Sequence, residues 1–154
     1  MVLTKLTITK KMGVSAESAW DALRRFDRLD VWFPSMETCT IEGEGVGACR
    51  HMSLVGGLGT ITDRLVALDD DEWRLTYERP ESPFPVASYT GTVEVFRSFD
   101  SLAIVVWTID FDSSPEDSGP VAELLNGAIA DGLDGMEADL GAHGQVALSL
   151  APGQ

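Results

Sequence analysis

The chain has 154 residues, of which 44% are hydrophobic and 23% charged, and its formal net charge is −14. This length and composition are typical of one globular domain that buries its own core, and the negative charge disfavours nucleic acid and anionic lipid surfaces as partners. No window reaches the roughly 18 uninterrupted apolar residues of a membrane span, so we expect a cytoplasmic protein.

A strand and two short helices are predicted first. Apolar and polar residues alternate over residues 2–12, which is the period of a half-buried strand. Ser15 is a typical N-cap residue, and apolar residues recur at helical spacing after it, at Ala19, Trp20, Leu23 and Phe26. A second helix over about residues 28–33 ends before Pro34.

The period then changes to two and returns to a helical one near the C-terminus. Recurrent turn residues divide the middle of the chain into six strands, at about residues 36–42, 46–55, 60–68, 72–79, 87–97 and 102–112. Short connections indicate an antiparallel meander, because parallel neighbours need long crossovers. From Ser118 an apolar stripe continues to a helix end near Gly141, and residues 142–154 are predicted to form a flexible tail.

This order of elements predicts an α+β helix-grip fold, a curved seven-stranded antiparallel sheet wrapped around a long C-terminal helix. A single amphipathic helix needs an apolar concave face, and a strongly bent sheet supplies one. We expect one domain over residues 1–141 with an internal cavity. Gly127, Gly132 and Gly135 lie inside the final helix, although each costs about 1 kcal/mol relative to alanine. Close packing of the helix on the sheet explains them, and room for a ligand is the alternative.

Five short motifs follow one another in a distinctive order. They are Ala19-Trp20-Asp21-Ala22-Leu23, the turn from Gly45 to Arg50, Gly57-Leu58-Gly59, the strand from Thr62 to Asp70, and Tyr89 before Gly91-Thr92-Val93. Together they resemble the Bet v 1-like or START-like superfamily, which includes polyketide cyclase/dehydratase-like proteins and plant abscisic acid receptors. The resemblance implies a cavity for a small hydrophobic molecule that is polyketide-, lipid- or terpenoid-like, and no cofactor.

The resemblance also suggests polar cavity residues. Asp63 stands where the receptors carry an acidic, cavity-facing residue, and Tyr77 and Tyr89 match aromatic cavity positions. Glu37 falls where the receptors have a ligand-binding lysine, which is a departure. Two carboxylates in one apolar pocket would raise at least one pKa, and that suits general acid/base chemistry.

Arg50 and the two carboxylates have structural interpretations as well. Arg50 shares a strand face with Met52, so its guanidinium either binds a carboxylate or enolate oxygen in the cavity or pairs with a nearby acid. Asp63 and Glu37 equally suit ion pairs with Arg50 or Arg64, or positions at the cavity mouth. Both interpretations stay open at this point.

Histidine and cysteine chemistry is weakly supported by the sequence. His51 falls on the strand face opposite Arg50, and His143 lies near the tail, so a Ser/His/Asp arrangement is not indicated. Cys39 and Cys49 lack C-x-x-C spacing, so reduced thiols and no metal site are expected.

The other predicted ligand contacts are hydrophobic, and they comprise Trp32, Met52, Leu58, Phe84, Trp107 and Met136. Leu58 lies in a glycine-rich loop that resembles the gate loop of the receptors, and Phe84 lies in a second rim loop, Pro80–Pro85. The register of the last strand is open. Either Trp107 points inward, or Thr108 and Asp110 do.

Three functions remain as alternatives. The first is a cofactor-independent cyclase or dehydratase, with Asp63 or Glu37 as acid/base, Tyr77 and Tyr89 as orienting groups, and Arg50 as an oxyanion partner. The second is a non-catalytic carrier or sensor of a hydrophobic small molecule. A protein-interaction role of the acidic final helix is a third, although that surface is more simply a solvated face. The protein is expected to be a monomer or a homodimer.

Overall fold

The computed structural model describes the backbone of residues 1–149 and the side chains of residues 1–142. Its elements are, in chain order, β1 (Val2–Ser15), α1 (Ala16–Arg24), α2 (Leu29–Trp32), β2 (Met36–Glu42), β3 (Cys49–Leu54), β4 (Thr60–Asp69), β5 (Arg74–Glu81), β6 (Ser88–Arg97), β7 (Leu102–Ser113) and α3 (Pro115–Ser149). Among these described residues, no helix is long and apolar enough to cross a membrane.

All seven strands belong to one antiparallel sheet in the order β1-β7-β6-β5-β4-β3-β2. The first strand pairs with the last, and every other neighbour is consecutive along the chain. Register shifts occur in the β1–β7, β2–β3 and β4–β5 pairs, and such irregularities bend strands. Helix α3 packs a stripe of buried residues against the sheet and α2. The stripe consists of Val121, Leu125, Ile129, Leu133 and Met136. The predicted helix-grip fold is confirmed.

Several predicted boundaries are wrong for local reasons. Strand β3 begins at Cys49 rather than at residue 46, because residues 43–48 form a turn with three glycines at positive φ. Strand β5 begins at Arg74, since Trp73 adopts φ 53° and closes the preceding turn. Strand β1 extends past the predicted residue 12 to Ser15.

The final helix is longer than predicted at both ends. It begins at Pro115 rather than at Ser118, and it continues past Gly141 to Ser149. Proline suits the first helical position, and glycine permits a helix end without imposing one. The prediction that regular structure stops at Gly141 is therefore wrong, and residues 150–154 of the predicted tail lie outside the described part of the chain.

Two of the three glycines that were predicted to lie inside the final helix, Gly132 and Gly135, allow contact with the α2 segment. A Cβ atom on Gly132 would overlap the ring of Phe33, and one on Gly135 would overlap the backbone carbonyl of Trp32. A Cβ atom on Gly127 would meet nothing within 4 Å. The predicted close packing of the final helix is present at Gly132 and Gly135, but there α3 packs against the α2 segment rather than against the sheet.

The face assignments that matter for the cavity are resolved. Ile61, Asp63 and Leu65 are buried on the concave face of β4, so Asp63 has the predicted inward orientation. In β7 the buried apolar residues are Ala103, Val105, Trp107, Ile109 and Phe111. The open register of the last strand is therefore resolved with Trp107 inward and with Thr108 and Asp110 half-buried on the other face.

Candidate functional site

A cavity of about 470 Å³ lies between the concave face of the sheet and the middle of α3. A cavity of this size suits a small organic molecule. Strands β2 to β7, the α2 segment, the rim loops and α3 all contribute to its walls, and most lining side chains are apolar. The lining residues are Leu29, Phe33, Ser35, Met36, Leu54, Val55, Leu58, Ile61, Tyr77, Arg79, Phe84, Tyr89, Trp107, Leu124, Leu125, Ala128, Ile129 and Asp131.

Two buried tyrosines place hydroxyl groups in the cavity wall. The indole Nε1 of Trp107 donates a hydrogen bond to the hydroxyl oxygen of Tyr77 at 3.1 Å. The rings of Tyr77 and Tyr89 lie 6.3 Å apart between centroids. Burial raises the pKa of Tyr89 well above its ordinary value, so its hydroxyl stays protonated at neutral pH and is able to donate a hydrogen bond.

A cluster of three charged side chains lies behind these tyrosines. Arg79 donates from Nε to Oδ1 of Asp63 at 2.7 Å and from Nη2 to Oδ2 at 3.2 Å. Arg50 donates from Nε to Oδ2 of Asp63 at 2.8 Å. We call Arg50, Asp63 and Arg79 the charge cluster. Arg79 also lines the cavity.

The charge cluster keeps Asp63 ionised. Burial alone would raise the pKa of this carboxyl, but the guanidinium groups of Arg79 and Arg50 outweigh burial and hold the pKa below its ordinary value. Asp63 is therefore a carboxylate at neutral pH with two cationic partners. This contradicts the expectation that paired carboxylates raise a pKa for general acid/base chemistry.

Arg50 is sandwiched against aromatic rings on the far side of the cluster. Its Cζ lies 3.8 Å from the ring centroid of Phe26 and 4.7 Å from that of Tyr77. Its Nη2 is buried without a hydrogen-bond partner, as is Oδ1 of Asp27. Both residues line a second cavity of only about 10 Å³, which is separate from the main one.

The two rim loops approach each other at the cavity mouth. Residues Val55–Gly57 form one turn of 3₁₀-helix, and Leu58 beyond them is 71% exposed. Gly59 adopts φ 133°, and a Cβ atom built there would lie 3.0 Å from the ring of Pro83 in the opposite loop. A side chain at position 59 would therefore be strained both by backbone conformation and by contact.

With this geometry established, comparison with known proteins identifies the family. The model for the family described as polyketide cyclase / dehydrase and lipid transport matches residues 4–141. The chain belongs to this family. The resemblance to Bet v 1-like proteins is thereby confirmed, and the match covers the cavity and almost the whole described fold.

Three proteins that are similar to this chain share between 19% and 32% sequence identity with it over the matched residues. An abscisic acid receptor from Arabidopsis thaliana is 32% identical over 68 residues, which cover 42% of this chain and 32% of the receptor. A solution structure from Thermobifida fusca is 27% identical, with a TM-score of 0.76 over 92% of this chain and 95% of the other. The aromatase/cyclase Zhui from a Streptomyces species has a TM-score of 0.77 at 19% identity, over 90% and 94% of the two chains. That last likeness shows the fold.

Glu37 does not contribute to the cavity of this family member. It lies on the edge strand β2 at a register shift between Met36 and Thr38, and its side chain is exposed. The extra residue at such a bulge turns away from the regular alternation. The predicted pair of cavity carboxylates is therefore absent, since Asp63 is enclosed by arginines and Glu37 faces solvent.

The predicted hydrophobic contacts divide into two groups. Leu58, Tyr77, Phe84, Tyr89 and Trp107 line the cavity. The other three are buried without lining it, namely Met52, Met136 and Trp32. Trp32 instead donates its indole N–H to Asp139 at 2.9 Å. Met136 lies two turns beyond Ile129, where α3 has passed the end of the cavity.

Arg79 is the main residue that the sequence reasoning missed. It follows Leu75 and Tyr77 at the same parity along β5, so the alternation that placed Tyr77 inward also places Arg79 inward. Arg79 is the last residue of the predicted strand 72–79, so the alternation of that strand is sufficient to predict an inward arginine. The alternative prediction, that Asp63 forms a structural ion pair, is correct for Arg50. Arg64 pairs with Glu78 and not with Asp63.

The remaining titratable candidates whose side chains the structure describes lie outside the cavity. His51 is exposed on the outer face of β3, as predicted, with Nε2 3.5 Å from a carboxylate oxygen of Glu42. The side chain of His143 lies outside the described residues. Within the described part of the chain Cys39 and Cys49 form no disulfide, and no group of side chains has the composition of a metal site.

Proposed function

We propose that the protein binds one small, mostly apolar organic molecule in the 470 Å³ cavity and carries or senses it without converting it. The observation behind the proposal is a cavity with apolar walls and a few polar groups, Arg79, Tyr77 and Tyr89, gathered on β5 and β6. Such a layout buries apolar surface for affinity and fixes orientation with few hydrogen bonds. A polyketide-, lipid- or terpenoid-like molecule fits this description.

The position of the acidic residues favours the carrier over the enzyme. Asp63 is held by two arginines and does not line the cavity, while Glu37 is exposed. A general acid or base must come within hydrogen-bond reach of the substrate. Among the described lining residues Asp131 is the one carboxylate, and it lies at the exposed rim.

The second candidate function is cofactor-independent cyclisation or dehydration. It is favoured by the family, whose description includes polyketide cyclases, and by the aromatase/cyclase of the same fold. In this alternative Tyr77 and Tyr89 would donate protons or hydrogen bonds, and Arg79 would stabilise an enolate oxygen. Neither Asp63 nor Glu37 would act as the acid or base. A cytoplasmic location and a monomeric or homodimeric state remain predictions.

Native mass spectrometry of the protein purified from its own host tests the proposal. We expect a mass increment of one apolar molecule per chain, which is released and identified after unfolding. An Ala128→Phe variant fills the cavity from α3 and should lose the molecule, whereas Asn126→Phe on the exposed side of the same helix should retain it. A clean apo mass for the wild type contradicts a tight carrier.

The identified molecule then separates the two functions. A carrier returns it unchanged after long incubation, and Tyr77→Phe or Tyr89→Phe reduces its affinity only modestly. An enzyme converts it into a cyclised product or one lighter by a water molecule. In that case the same variants reduce turnover by orders of magnitude.

A further inference from the structure

The charge cluster carries a surplus positive charge. The side chains of Arg50, Arg79 and Asp63 are only 3%, 6% and 0% exposed, so two cations and one anion are buried together. A buried charge without an opposite partner is costly, because water no longer solvates it. A second anion in this region would relieve that cost.

Within the charge cluster, the guanidinium group of Arg79 is the one that faces the main cavity. Arg79 uses Nε and Nη2 for its two hydrogen bonds to Asp63, and neither bond involves Nη1. Arg79 lines the main cavity, whereas Arg50 lines only the small one. An anion in the main cavity would therefore meet Arg79.

The aromatic neighbours of Arg79 supply further donors but no compensating charge. The Cζ of Arg79 lies 4.3 Å from the ring centroid of Tyr89 and 5.9 Å from that of Tyr77. Aromatic faces attract a cation, but they carry no net charge. Because Tyr77 accepts the N–H of Trp107, its own hydroxyl hydrogen remains to donate elsewhere.

We infer that the bound molecule carries an anionic oxygen group, such as a carboxylate, an enolate or a phenolate, that binds Arg79 and the hydroxyls of Tyr77 and Tyr89. The inference rests on the proposed function and adds the polar chemistry of its ligand. The protein as a whole has a net charge of −14 and repels anions, so a preference for an anion would have to arise at this local site.

A matched pair of fluorescent dyes separates the inference from the proposed function. Anilinonaphthalene sulfonate and N-phenylnaphthylamine share one aromatic skeleton, and only the first carries a negative charge. We expect both dyes to bind the wild type, with the sulfonate bound about tenfold or more tightly, the usual scale of a charge-assisted hydrogen bond. Binding of the neutral dye alone supports the hydrophobic cavity and overturns the inference.

Two arginine variants locate the source of the preference. Arg79→Gln should reduce the ratio of sulfonate to neutral-dye affinity to about one, and Asp63 keeps its pair with Arg50 in this variant. Arg64→Gln removes the same charge from an exposed pair with Glu78 and should retain the advantage. An advantage that persists in Arg79→Gln, or is lost equally in Arg64→Gln, overturns the inference. Failure of both dyes to bind the wild type overturns the proposed function as well.

Discussion

Arg79 and Asp63 are joined by two hydrogen bonds, from Nε to Oδ1 and from Nη2 to Oδ2, behind the cavity wall. With Arg50 bound to the same carboxylate, the pair ties β3, β4 and β5 together through side chains. The carboxylate thus has a structural role. The arginine has a second face, toward the cavity, where it contributes to ligand binding in our proposal.

Removing the carboxylate should destabilise the fold. Asp63→Asn leaves two buried guanidinium groups without their anion, and breaking a buried pair in this way typically costs about 3–5 kcal/mol. Urea denaturation measures this loss in the free energy of unfolding. Asp70→Asn is the control, because its pair with Arg24 is about half exposed and we expect a loss below about 1 kcal/mol. Equal small losses in both variants would contradict the structural role.

The ionisation of Asp63 predicts a specific dependence of stability on pH. Its pKa is lowered in the folded protein, so its contribution is fully present above the unfolded pKa of about 3.9. That contribution is lost as the pH falls through the lower folded pKa. Carboxyl-detected NMR should give a midpoint for Asp63 below about 3.9, and a midpoint between pH 5 and 7 would restore the acid/base hypothesis.

The order and type of the elements could be predicted because hydrophobic period and turn residues act locally. The period of two placed Asp63 and Tyr77 on inward faces, as the structure has them, but the apolar run of the last strand left the face of Trp107 open. The period failed at Glu37, where a register shift breaks the alternation. No local signal in the chain marks that irregularity, since it arises from pairing with β3.

The glycines of α3 provide a direct test of helix packing. Gly135→Ala places a Cβ atom against the carbonyl of Trp32, so α3 must move away from α2, and overpacking of this kind typically costs about 1–3 kcal/mol. Gly127→Ala meets no neighbour and should stabilise the protein by up to about 1 kcal/mol through helix propensity. Opposite signs in the free energy of unfolding are expected. Stabilisation by both substitutions would show that α2 and α3 are not in close contact.

Gly91 controls the position of a cavity tyrosine. A Cβ atom at this position would overlap the phenol ring of Tyr77, so Gly91→Ala should displace the ring and break its hydrogen bond with Trp107. We expect a loss of about 1–3 kcal/mol in stability and weaker binding of N-phenylnaphthylamine. Thermal unfolding and dye titration of one sample measure both effects. Unchanged values in both experiments would show that Tyr77 does not depend on this close approach.

The candidate site was only partly predictable, since it depends on which side chains meet across the sheet. The tyrosines and Trp107 were identified, but the partner of Asp63 was not, because Arg79 lies 16 positions away and meets it only through strand pairing. Glycine spacing likewise did not reveal that Gly132 and Gly135 face α2. Such contacts follow from tertiary geometry and not from the local period.

Titration of the wild type, Ala128→Phe and Asn126→Phe with the neutral dye N-phenylnaphthylamine tests the central claim that the cavity binds a hydrophobic molecule. Ala128 lines the cavity and Asn126 does not, so the two variants add the same ring to opposite sides of α3. We predict saturable binding of one dye per chain to the wild type and to Asn126→Phe, and none to a folded Ala128→Phe. Equal binding to all three proteins would place the dye elsewhere and contradict the account.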